Sequence, residues 1–364
     1  MHVQFLKPAI TDDDIAAVVA VLKKGWLVLS GETRNFEDDF SRYLGAKHAV
    51  LTNSCTCSLH LALIIAGIGK GDEVITTPLT YASSVSPILH VGAKPVFVDV
   101  EPTTGLIDVD LVARAITKKT KAILPVHLYG QMADMRALQK LAKKHKLIII
   151  EDAAHSIEAS RDGVRSGELG YAAAFSFHTA KNITSGQGGA LVTNSAKVAE
   201  QAVILRRDGV VNRGVKRQMV ALGFKYLSTD FDAAMLRSQL KRIDKQWVAR
   251  KRLYDRYAKA FLRAGLRFNQ VLPNSRHAYH MIVLWVDPKK RDGMIEKLKR
   301  ADIDTSIHYD PLHLEPYYRT TFGFKPGDFP ITETLGLGTI TLPMHPLMTD
   351  AEQAHVVREV LKLL

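Results

Sequence analysis

The sequence predicts an α/β protein built on a mostly parallel β-sheet that helices cover on both faces. Two observations lead to this prediction. Strand and helix segments alternate between residues 47 and 152, and the strand segments are continuous apolar runs, as in sheets that are buried on both faces. A different pattern after residue 181 indicates a second, smaller α/β unit, and the length of 364 residues suits two domains.

Two amphipathic helices come first. The first follows Thr11, a candidate N-cap, opens with three aspartates and ends at Gly25 after two lysines, an order of charges that suits the helix dipole. The second ends at Gly45. Each places its apolar side chains on one face: Ile15, Val18, Val19 and Leu22 in the first, and Phe36, Phe40, Tyr43 and Leu44 in the second.

Four strand–helix pairs and a fifth strand follow. The predicted strands read KHAVLTN, DEVITTP, KPVFVDV, KAILPVHLYG and LIIIED, and the helices between them read SLHLALIIAGI, YASSVSPILHVG, DVDLVARAITKKT and MRALQKLAKKHK. The crossovers between parallel strands should be right-handed. Ligands of such sheets bind beyond the carboxyl ends of the strands, so we expect functional residues directly after these strands.

The C-terminal part predicts a smaller unit. The stretch TDFDAAMLRSQLKRIDKQWVARKRLYDRYAKAFLRAG indicates one long helix that ends at Gly265. A strand (AYHMIVLWVD), a helix (RDGMIEKLKRADI) and a strand with a loop (TSIHYDPLH) come next, and a Thr349–Glu352 capping box opens the last amphipathic helix. We place the boundary inside the long helix, with residues 1–245 as the large domain and residues 246–364 as the small C-terminal α/β domain.

Composition and charge narrow the class of protein. The chain is 46% hydrophobic and 24% charged, which is typical of globular proteins. No apolar run reaches the roughly 18 residues of a membrane span, and no signal-peptide pattern is present, so we expect a cytoplasmic protein without a membrane partner.

The net charge of +12 suits nucleic acid or an anionic small substrate as a partner. We expect no nucleic-acid partner, because much of this charge lies on helix faces that an opposite apolar stripe leaves solvated. In the long helix the stripe consists of Leu236, Leu240, Ile243 and Trp247.

The segment NSCTCSLHLAL joins the first sheet strand to a helix through small polar residues. Free backbone N–H groups and the helix dipole at such a turn form an anion site, to which Thr56 and Ser58 add hydroxyl donors. Cys55 and Cys57 in this turn flank a single threonine, which disfavours a disulfide, and two ligands are too few for a structural zinc site. We therefore predict no metal.

Two further segments place polar or ionisable side chains at or just after the ends of predicted strands. The strand in IIIEDAAHS ends in Glu151 and Asp152, and a carboxylate leaving a buried strand is costly unless it is paired. In SFHTAKN, Lys181 follows the next strand, and Ser176 lies at the end of that strand, where its hydroxyl would reach a phosphate. A lysine that forms a Schiff base must lose its proton, so its pKa must fall below the usual value of about 10.4.

Together these features favour pyridoxal 5'-phosphate over a nucleotide. The order is a phosphate turn, an aromatic residue (Tyr81), an Asp that would hold the pyridine nitrogen protonated, and a Lys after the next strand. Neither the G-x-G-x-x-G nor the G-x-x-x-x-G-K-[ST] pattern occurs in the sequence.

The chain resembles the pyridoxal-phosphate-dependent sugar aminotransferases of the DegT/DnrJ/StrS group, which have the aspartate aminotransferase fold (fold type I). The resemblance covers nearly the whole chain, and its most specific segments are EDAAHS, FSFHTAKNITSGQGGALVTN and SIHYDPLHLEPYY. It implies a seven-stranded, mostly parallel sheet in the large domain.

The resemblance also implies roles for individual residues. Lys181 would form the internal aldimine, Asp152 would pair with the pyridine nitrogen, and Tyr81 would stack on the ring. His155 would lie near the phenolic oxygen of the cofactor. The residues around the phosphate would be Cys55, Thr56 and Ser176, the first two partly through backbone N–H groups.

A contact from a second subunit is also implied. Residues 223–230 (GFKYLSTD) match a stretch that often carries Asn in the family and reaches the phosphate of the neighbouring subunit. Lys225 would take this place, and the active site would then be shared within a homodimer whose monomer is inactive. Two other departures from the family pattern are NSCTCSLH for the commoner SGTAALH and GQGG for GEGG.

The implied reaction is the transfer of an amino group from L-glutamate to a keto sugar, and the resemblance favours a nucleotide-linked keto sugar. The segment SIHYDPLHLEPYY resembles that of enzymes that aminate carbon 4, which makes His308 and His313 candidate substrate contacts. Three alternatives remain open: a cyclitol aminotransferase, a sugar dehydratase, and a regulatory nucleic-acid-binding protein that kept the fold. Dehydratases of the family carry His in place of the aldimine lysine, so Lys181 argues against the second of these.

Overall fold

The structure is a computed structural model that describes residues 1–29 and 31–363. Its helices are α1 (Asp12–Lys24), α2 (Gly31–Leu44), α3 (Cys55–Ile65), α4 (Ala82–His90), α5 (Val109–Ala115), α6 (Met135–His145), α7 (Ala196–Leu205), α8 (Asp230–Leu240), α9 (Ile243–Arg263), α10 (Pro288–Arg300), α11 (Pro316–Phe322), α12 (Pro330–Leu337) and α13 (Asp350–Leu361). A short 3-10 helix spans Leu312–Leu314. None of the described helices is long and apolar enough to cross a membrane.

The first nine strands are β1 (His48–Thr52), β2 (Glu73–Thr76), β3 (Lys94–Phe97), β4 (Thr120–Ile123), β5 (Ile148–Asp152), β6 (Ser160–Arg161), β7 (Val164–Arg165), β8 (Ala172–Ser176) and β9 (Gly189–Thr193). The others are β10 (Val210–Arg213), β11 (Lys216–Met219), β12 (Arg267–Phe268), β13 (Ser275–Arg276), β14 (Ile282–Trp285) and β15 (Thr339–Leu342).

The central sheet has seven strands in the order β1-β9-β8-β5-β4-β2-β3. All neighbours pair in parallel except β9, which is antiparallel to both β1 and β8. Strands β5, β8 and β9 are almost entirely buried, as expected for a sheet covered on both faces. The predicted fold class and the seven-stranded, mostly parallel sheet are confirmed.

A second core lies in the C-terminal part. The antiparallel strands β12, β14 and β15 form a three-stranded sheet. Ile282 and Leu284 of β14 pack into the core of this unit, whereas Val283 and Trp285 pack into the core of the large sheet, because successive side chains of a strand point to opposite faces. The small sheet is thereby fixed against the large unit. The domain boundary at residue 245 stays a prediction.

The long helix predicted up to Gly265 is wrong in one respect, since it is broken between α8 and α9. Arg242 departs from helical geometry (φ −118°, ψ 11°). Its guanidinium donates to both carboxylate oxygens of Asp14 and to the carbonyl of Ala9. Leu240 and Ile243 on either side are buried in one core. The break therefore serves contacts with the N-terminal segment that local sequence pattern does not reveal.

Helix α1 also differs from its prediction. Thr11 and Asp14 form a capping box as the sequence indicates. However, the predicted apolar face is not covered within the chain: the side chains of Ile15, Leu22 and the following Trp26 are 54%, 52% and 67% exposed. Exposed apolar residues of this size on one face are typical of an interaction surface.

Candidate active site

A cavity of about 400 Å³ lies beyond the carboxyl ends of β5 and β8 and at the start of α3. This is the place where a parallel sheet binds its ligands. Eight of the predicted site residues line it: Cys55, Thr56, Tyr81, Asp152, His155, Ser176, Lys181 and His308. They come from five segments of the chain, and the structure brings them to one site.

The start of α3 forms one wall. Ser54 is the N-cap, and its hydroxyl accepts a hydrogen bond from the Cys57 N–H at 3.2 Å. The first helical bond joins the Ser58 N–H to the Ser54 carbonyl at 3.2 Å, so the N–H groups of Cys55 and Thr56 precede the helical ladder. Such N–H groups, together with the helix dipole, favour an anion.

Gly189 makes room for this turn. A Cβ at Gly189 would lie 2.3 Å from the backbone nitrogen of Cys55 and 2.3 Å from the carbonyl carbon of Ser54. Both neighbours are backbone atoms and cannot rotate away. Gly189, the last residue of the GQGG segment, must therefore be glycine so that β9 and the anion turn can lie side by side.

Asp152 is held by two donors at the end of β5. Its Oδ2 accepts from the Ser84 hydroxyl at 2.6 Å and its Oδ1 from the Ala154 N–H at 3.1 Å. Ser84 in turn is hydrogen-bonded to Thr80 at 2.7 Å between the hydroxyl oxygens. The sequence did not reveal Ser84, because only the tertiary fold brings α4 to this carboxylate.

Glu151, the carboxylate before Asp152, has a structural role. Its side chain is fully buried beneath the sheet end and accepts from His127 Nε2 and from the N–H groups of Gly167 and Gly170, each at 2.9 Å. These three donors satisfy the charge away from the cavity. Of the two adjacent carboxylates, only Asp152 faces the site.

Lys181 lies in the loop between β8 and β9 and points into the cavity. Burial lowers the pKa of its amine to about 8, although the nearby Cys55 and Asp152 act in the opposite direction. Its backbone N–H donates to the His178 carbonyl at 2.8 Å, which closes the turn that presents it. About a tenth of a lysine with this pKa is uncharged and nucleophilic at pH 7, compared with less than about a thousandth at the usual pKa of about 10.4.

His155 is held as a neutral imidazole with a defined tautomer. Burial and the charge of Lys181 place its pKa well below the usual range. Its Nδ1 accepts from the backbone N–H of Tyr129 at 3.3 Å, so the proton resides on Nε2, which lies 3.2 Å from the Tyr309 hydroxyl. Tyr309, which the sequence does not identify as a site residue, also lines the cavity.

The remaining predicted cofactor contacts occupy distinct positions. Tyr81 is 60% exposed at the cavity mouth, with its ring 5.7 Å from that of Tyr309. The Cys55 thiol donates to the Ala174 carbonyl at 3.5 Å, and burial raises its pKa well above the usual value, so it stays protonated. Both described cysteines are free. Ser176 is buried at the end of β8.

The two predicted substrate histidines separate in the structure. His308 lines the cavity, is hydrogen-bonded through Nδ1 to the Thr341 hydroxyl at 2.9 Å, and has a pKa that burial lowers to about 3. His313 does not reach the cavity. Its side chain is fully buried, its Nε2 is 2.9 Å from Glu333 Oε1, and its ring packs on Phe329. We therefore withdraw His313 as a substrate contact, since it belongs to a small core.

Lys225 lies outside the cavity of its own chain. Its side chain is 77% exposed and its Nζ is 3.2 Å from Asp208 Oδ2. Its carbonyl accepts from the side-chain amide of Asn53 at 3.3 Å, so the segment runs beside the anion turn while the amine points to solvent. Its contact with a second subunit stays a prediction.

A second cavity of about 650 Å³ opens beside the first. The two share Thr80, Tyr81 and Tyr309 in their walls. The rest of the second wall is mostly aromatic, aliphatic and acidic, with Ser86 and His90 as further polar residues, and no described residue that lines it is Lys or Arg. Asp310 of this wall is paired with Arg291 at 2.6 Å.

The described residues contain no group of three or more His, Cys, Asp or Glu side chains that could hold a metal ion. The donor set does fit pyridoxal phosphate. Helix α3 and Gly189 form a cradle for a phosphate, Asp152 offers a carboxylate for the pyridine nitrogen, and Lys181 offers an amine with a lowered pKa for the aldehyde.

Comparison with known proteins agrees with this chemistry. The chain matches the DegT/DnrJ/EryC1/StrS aminotransferase family over residues 8–361. It is 39% identical over 368 residues to the spore coat polysaccharide biosynthesis protein SpsC of Bacillus subtilis (strain 168), covering 97% of this chain and 95% of that protein. It is 34% identical over 372 residues to the UDP-4-amino-4-deoxy-L-arabinose–oxoglutarate aminotransferase of Shewanella sediminis (strain HAW-EB3), covering 96% and 95%.

Among solved structures, the chain is similar to Spr1654 of Streptococcus pneumoniae in its PMP form. The TM-score is 0.96 at 29% sequence identity, over 100% of this chain and 99% of that one. Spr1654 has also been solved in a PLP form, with a TM-score of 0.95. The chain therefore belongs to the DegT/DnrJ/EryC1/StrS family of sugar aminotransferases and is a PLP-dependent enzyme of fold type I.

Proposed function

We propose that the enzyme transfers the amino group of L-glutamate to a nucleotide-linked 4-keto sugar, in the biosynthesis of amino sugars for cell-surface glycans or glycosylated products. The observation that carries the proposal is the convergence of Lys181, Asp152 and the start of α3 on one cavity, with a second and larger cavity beside it. The relatives from B. subtilis and S. sediminis, named for polysaccharide biosynthesis and for a UDP-linked 4-amino sugar, support the acceptor class.

Bound pyridoxal phosphate supplies an electron sink that stabilises negative charge on the substrate carbon. Asp152, held by Ser84 and the Ala154 N–H, would keep the pyridine nitrogen protonated. The α3 start and Ser176 would hold the phosphate, and the Nε2–H of His155 would be available as a donor to the phenolic oxygen. Lys181 Nζ takes a proton from the donor carbon and, in the second half-reaction, delivers one to the acceptor carbon. The net exchange gives 2-oxoglutarate and an amino sugar.

The lowered pKa of Lys181 predicts a pH dependence. The free amine is the reactive form, so covalent attachment of pyridoxal phosphate to the apoprotein should rise with pH through an inflection at about 8. The rate of attachment, measured after trapping with borohydride at a series of pH values, checks this. The free amino acid Nα-acetyl-lysine, whose side-chain amine is exposed to solvent, serves as the control and should show its inflection at about 10.4. The same high inflection in the protein would contradict the assignment.

We also propose a homodimer whose active sites are shared. The exposed apolar face of α1 supports the interface, and the solvent-directed amine of Lys225 supports a contact across it. The test mixes Lys181→Ala and Lys225→Ala subunits after mild dissociation. If Lys225 serves the partner's site, each mixed dimer contains one intact site, and random reassortment restores about a quarter of the wild-type rate. A mixture no more active than the two variants alone places Lys225 outside a shared site.

A keto cyclitol is a second candidate acceptor. The absence of Lys and Arg from the described wall of the second cavity favours an acceptor, or a part of one, that carries no phosphate. To decide between the two, the holoenzyme is incubated with L-glutamate and a panel of UDP- and dTDP-linked keto sugars and free keto cyclitols. We expect amino-sugar mass with a nucleotide-linked 4-keto sugar. Product from the cyclitols alone would replace the proposal with the second candidate.

A further inference from the structure

Glu158 and Asn182 form a buried pair next to the active site that the proposed reaction does not use. Asn182 directly follows Lys181, and Glu158 lies three residues after His155. The side-chain amide of Asn182 donates to both carboxylate oxygens of Glu158 at 2.9 Å and to the Ala278 carbonyl at 2.9 Å. Both side chains are almost completely buried.

The pair joins the two loops that carry the reacting groups. One loop follows Asp152, the last residue of β5, and supplies His155, and the other follows β8 and supplies Lys181. Among the described residues, the side-chain hydrogen bonds between these loops are the two that connect Glu158 to Asn182. The contact therefore ties the loop that carries Lys181 to the loop that follows Asp152 and carries His155.

The third partner, Ala278, extends the connection to the C-terminal part of the chain. Its carbonyl fixes which end of the Asn182 amide is the nitrogen, so the amide oxygen faces His280 Nδ1 at 3.3 Å. The His280 ring lies 4.4 Å from the ring of His155. Because an amide oxygen only accepts, the His280 proton resides on Nδ1. Asn182 is thus also connected to His155, through the His280 ring.

Keeping a carboxylate at this position is costly for the fold. Burial raises the pKa of Glu158 to about 7, with Asn182, Arg250 and Arg276 acting in the opposite direction. Arg250 is itself buried, contrary to the solvated face that the sequence predicts for the basic residues of this helix, and its Nε lacks a hydrogen-bond partner among the described residues. Such a cost is common where a group serves function rather than stability.

We propose that Glu158 is a positioning residue that acts through Asn182 to hold Lys181 in its partly buried position in the wall of the cavity. The inference rests on the proposed role of Lys181 as the cofactor-binding amine. Without the clamp, the loop that carries Lys181 loosens, water reaches Nζ, and the desolvation that keeps the amine uncharged is lost.

Several charged or titratable groups around the cavity also influence the pKa of Lys181. Their charges interact with the amine from every side of the cavity: Cys55, Asp152, His155, His178, His280 and His308. None is altered in the variants below, so a change in the Lys181 titration reports on its placement.

The test uses the apoprotein and pyridoxal phosphate as the probe. The inflection of covalent attachment against pH is measured for Glu158→Ala, Asn182→Ala and the double variant. Each single variant is expected to move the inflection upward by about one pH unit or more, because desolvation shifts of this size are lost on exposure. The double variant should move it no further than Asn182→Ala, because the two residues act as a unit.

A matched control removes a buried hydrogen bond from the same region. Ser166 donates from its hydroxyl to the Ser156 carbonyl at 3.1 Å and lies 2.9 Å from the Ser156 hydroxyl, and neither partner belongs to the Glu158–Asn182 pair. Ser166→Ala should lower the melting temperature and leave the inflection at about 8. If Glu158→Ala fails to fold, Glu158→Gln replaces it, with one acceptor oxygen kept and a smaller upward shift expected.

An inflection that stays at the wild-type value in the Glu158 variant, or shifts that add in the double variant, would overturn the inference. Such a result leaves the proposed function untouched as long as wild-type protein still attaches pyridoxal phosphate. If the wild-type protein itself forms no covalent bond with the cofactor, the proposed function fails, and the inference fails with it.

Discussion

Lys181→Ala is expected to abolish covalent attachment of the cofactor and to lower turnover by about 1,000-fold or more. Loss of a general acid–base group alone typically costs about 100- to 10,000-fold, and here the same amine is also the attachment point. Alanine keeps the backbone bond from residue 181 to the His178 carbonyl, so the loop should retain its shape. Amino transfer from glutamate and cofactor retention after gel filtration are the measurements.

The control for this variant is Lys197→Ala, because Lys197 is an exposed lysine on α7. It should behave as wild type in both measurements. A Lys181→Ala enzyme that transfers amino groups at the wild-type rate would disprove the mechanism, whereas loss of cofactor together with a large fall in melting temperature would show only that the loop had collapsed.

Asp152→Asn has the second-largest expected effect, a fall in turnover of about 100-fold or more, comparable to the loss of a preorganised electrostatic contact. Asn is nearly isosteric and accepts from Ser84 or from the Ala154 N–H, but it carries no charge to keep the pyridine nitrogen protonated. The anion turn and Lys181 are unaltered, so the variant should still attach the cofactor covalently.

The two readouts together separate a role in catalysis from a role in folding. Asp152→Asn should bind the cofactor and turn over slowly, whereas Asp110→Asn, a change of an exposed carboxylate at the start of α5, should alter neither property. Wild-type turnover in Asp152→Asn would mean that the carboxylate does not face the pyridine nitrogen.

Residues at strand ends were predictable because the periodicity of an α/β sheet places them. Strand β5 ends at Asp152, β8 ends at Ser176, and α3 starts directly after β1. Each position follows from the alternation of apolar runs and helices, and ligands of parallel sheets bind at these ends. The resemblance to a known family then supplied the roles that strand ends alone do not specify.

Contacts that depend on tertiary structure were not predictable. Ser84 reaches Asp152 across 68 positions of sequence, and Tyr309 reaches His155 across 154. His313 stands only five positions from His308 in the same segment, yet its side chain turns into a separate core with Phe329. Sequence proximity therefore did not determine which side chains share the cavity.

The break between α8 and α9 has the same origin. The apolar stripe of Leu240 and Ile243 continues across the break, because both residues pack into one core. The reason for the break lies in Arg242, which binds Asp14 from 228 positions away. The exposed apolar face of α1 shows the reverse situation, since the sequence pattern indicates a buried face that a single chain does not cover.

The position of the covalent bond to the cofactor tests most directly whether Lys181 is the reactive lysine. Holoenzyme is reduced with borohydride and digested, and the peptides are sequenced by mass spectrometry to find the pyridoxyl group. We predict a single modified peptide, with the modification on Lys181 of the segment SFHTAKN. A pyridoxyl group on any other lysine, or an unmodified Lys181 in protein that transfers amino groups, would contradict it.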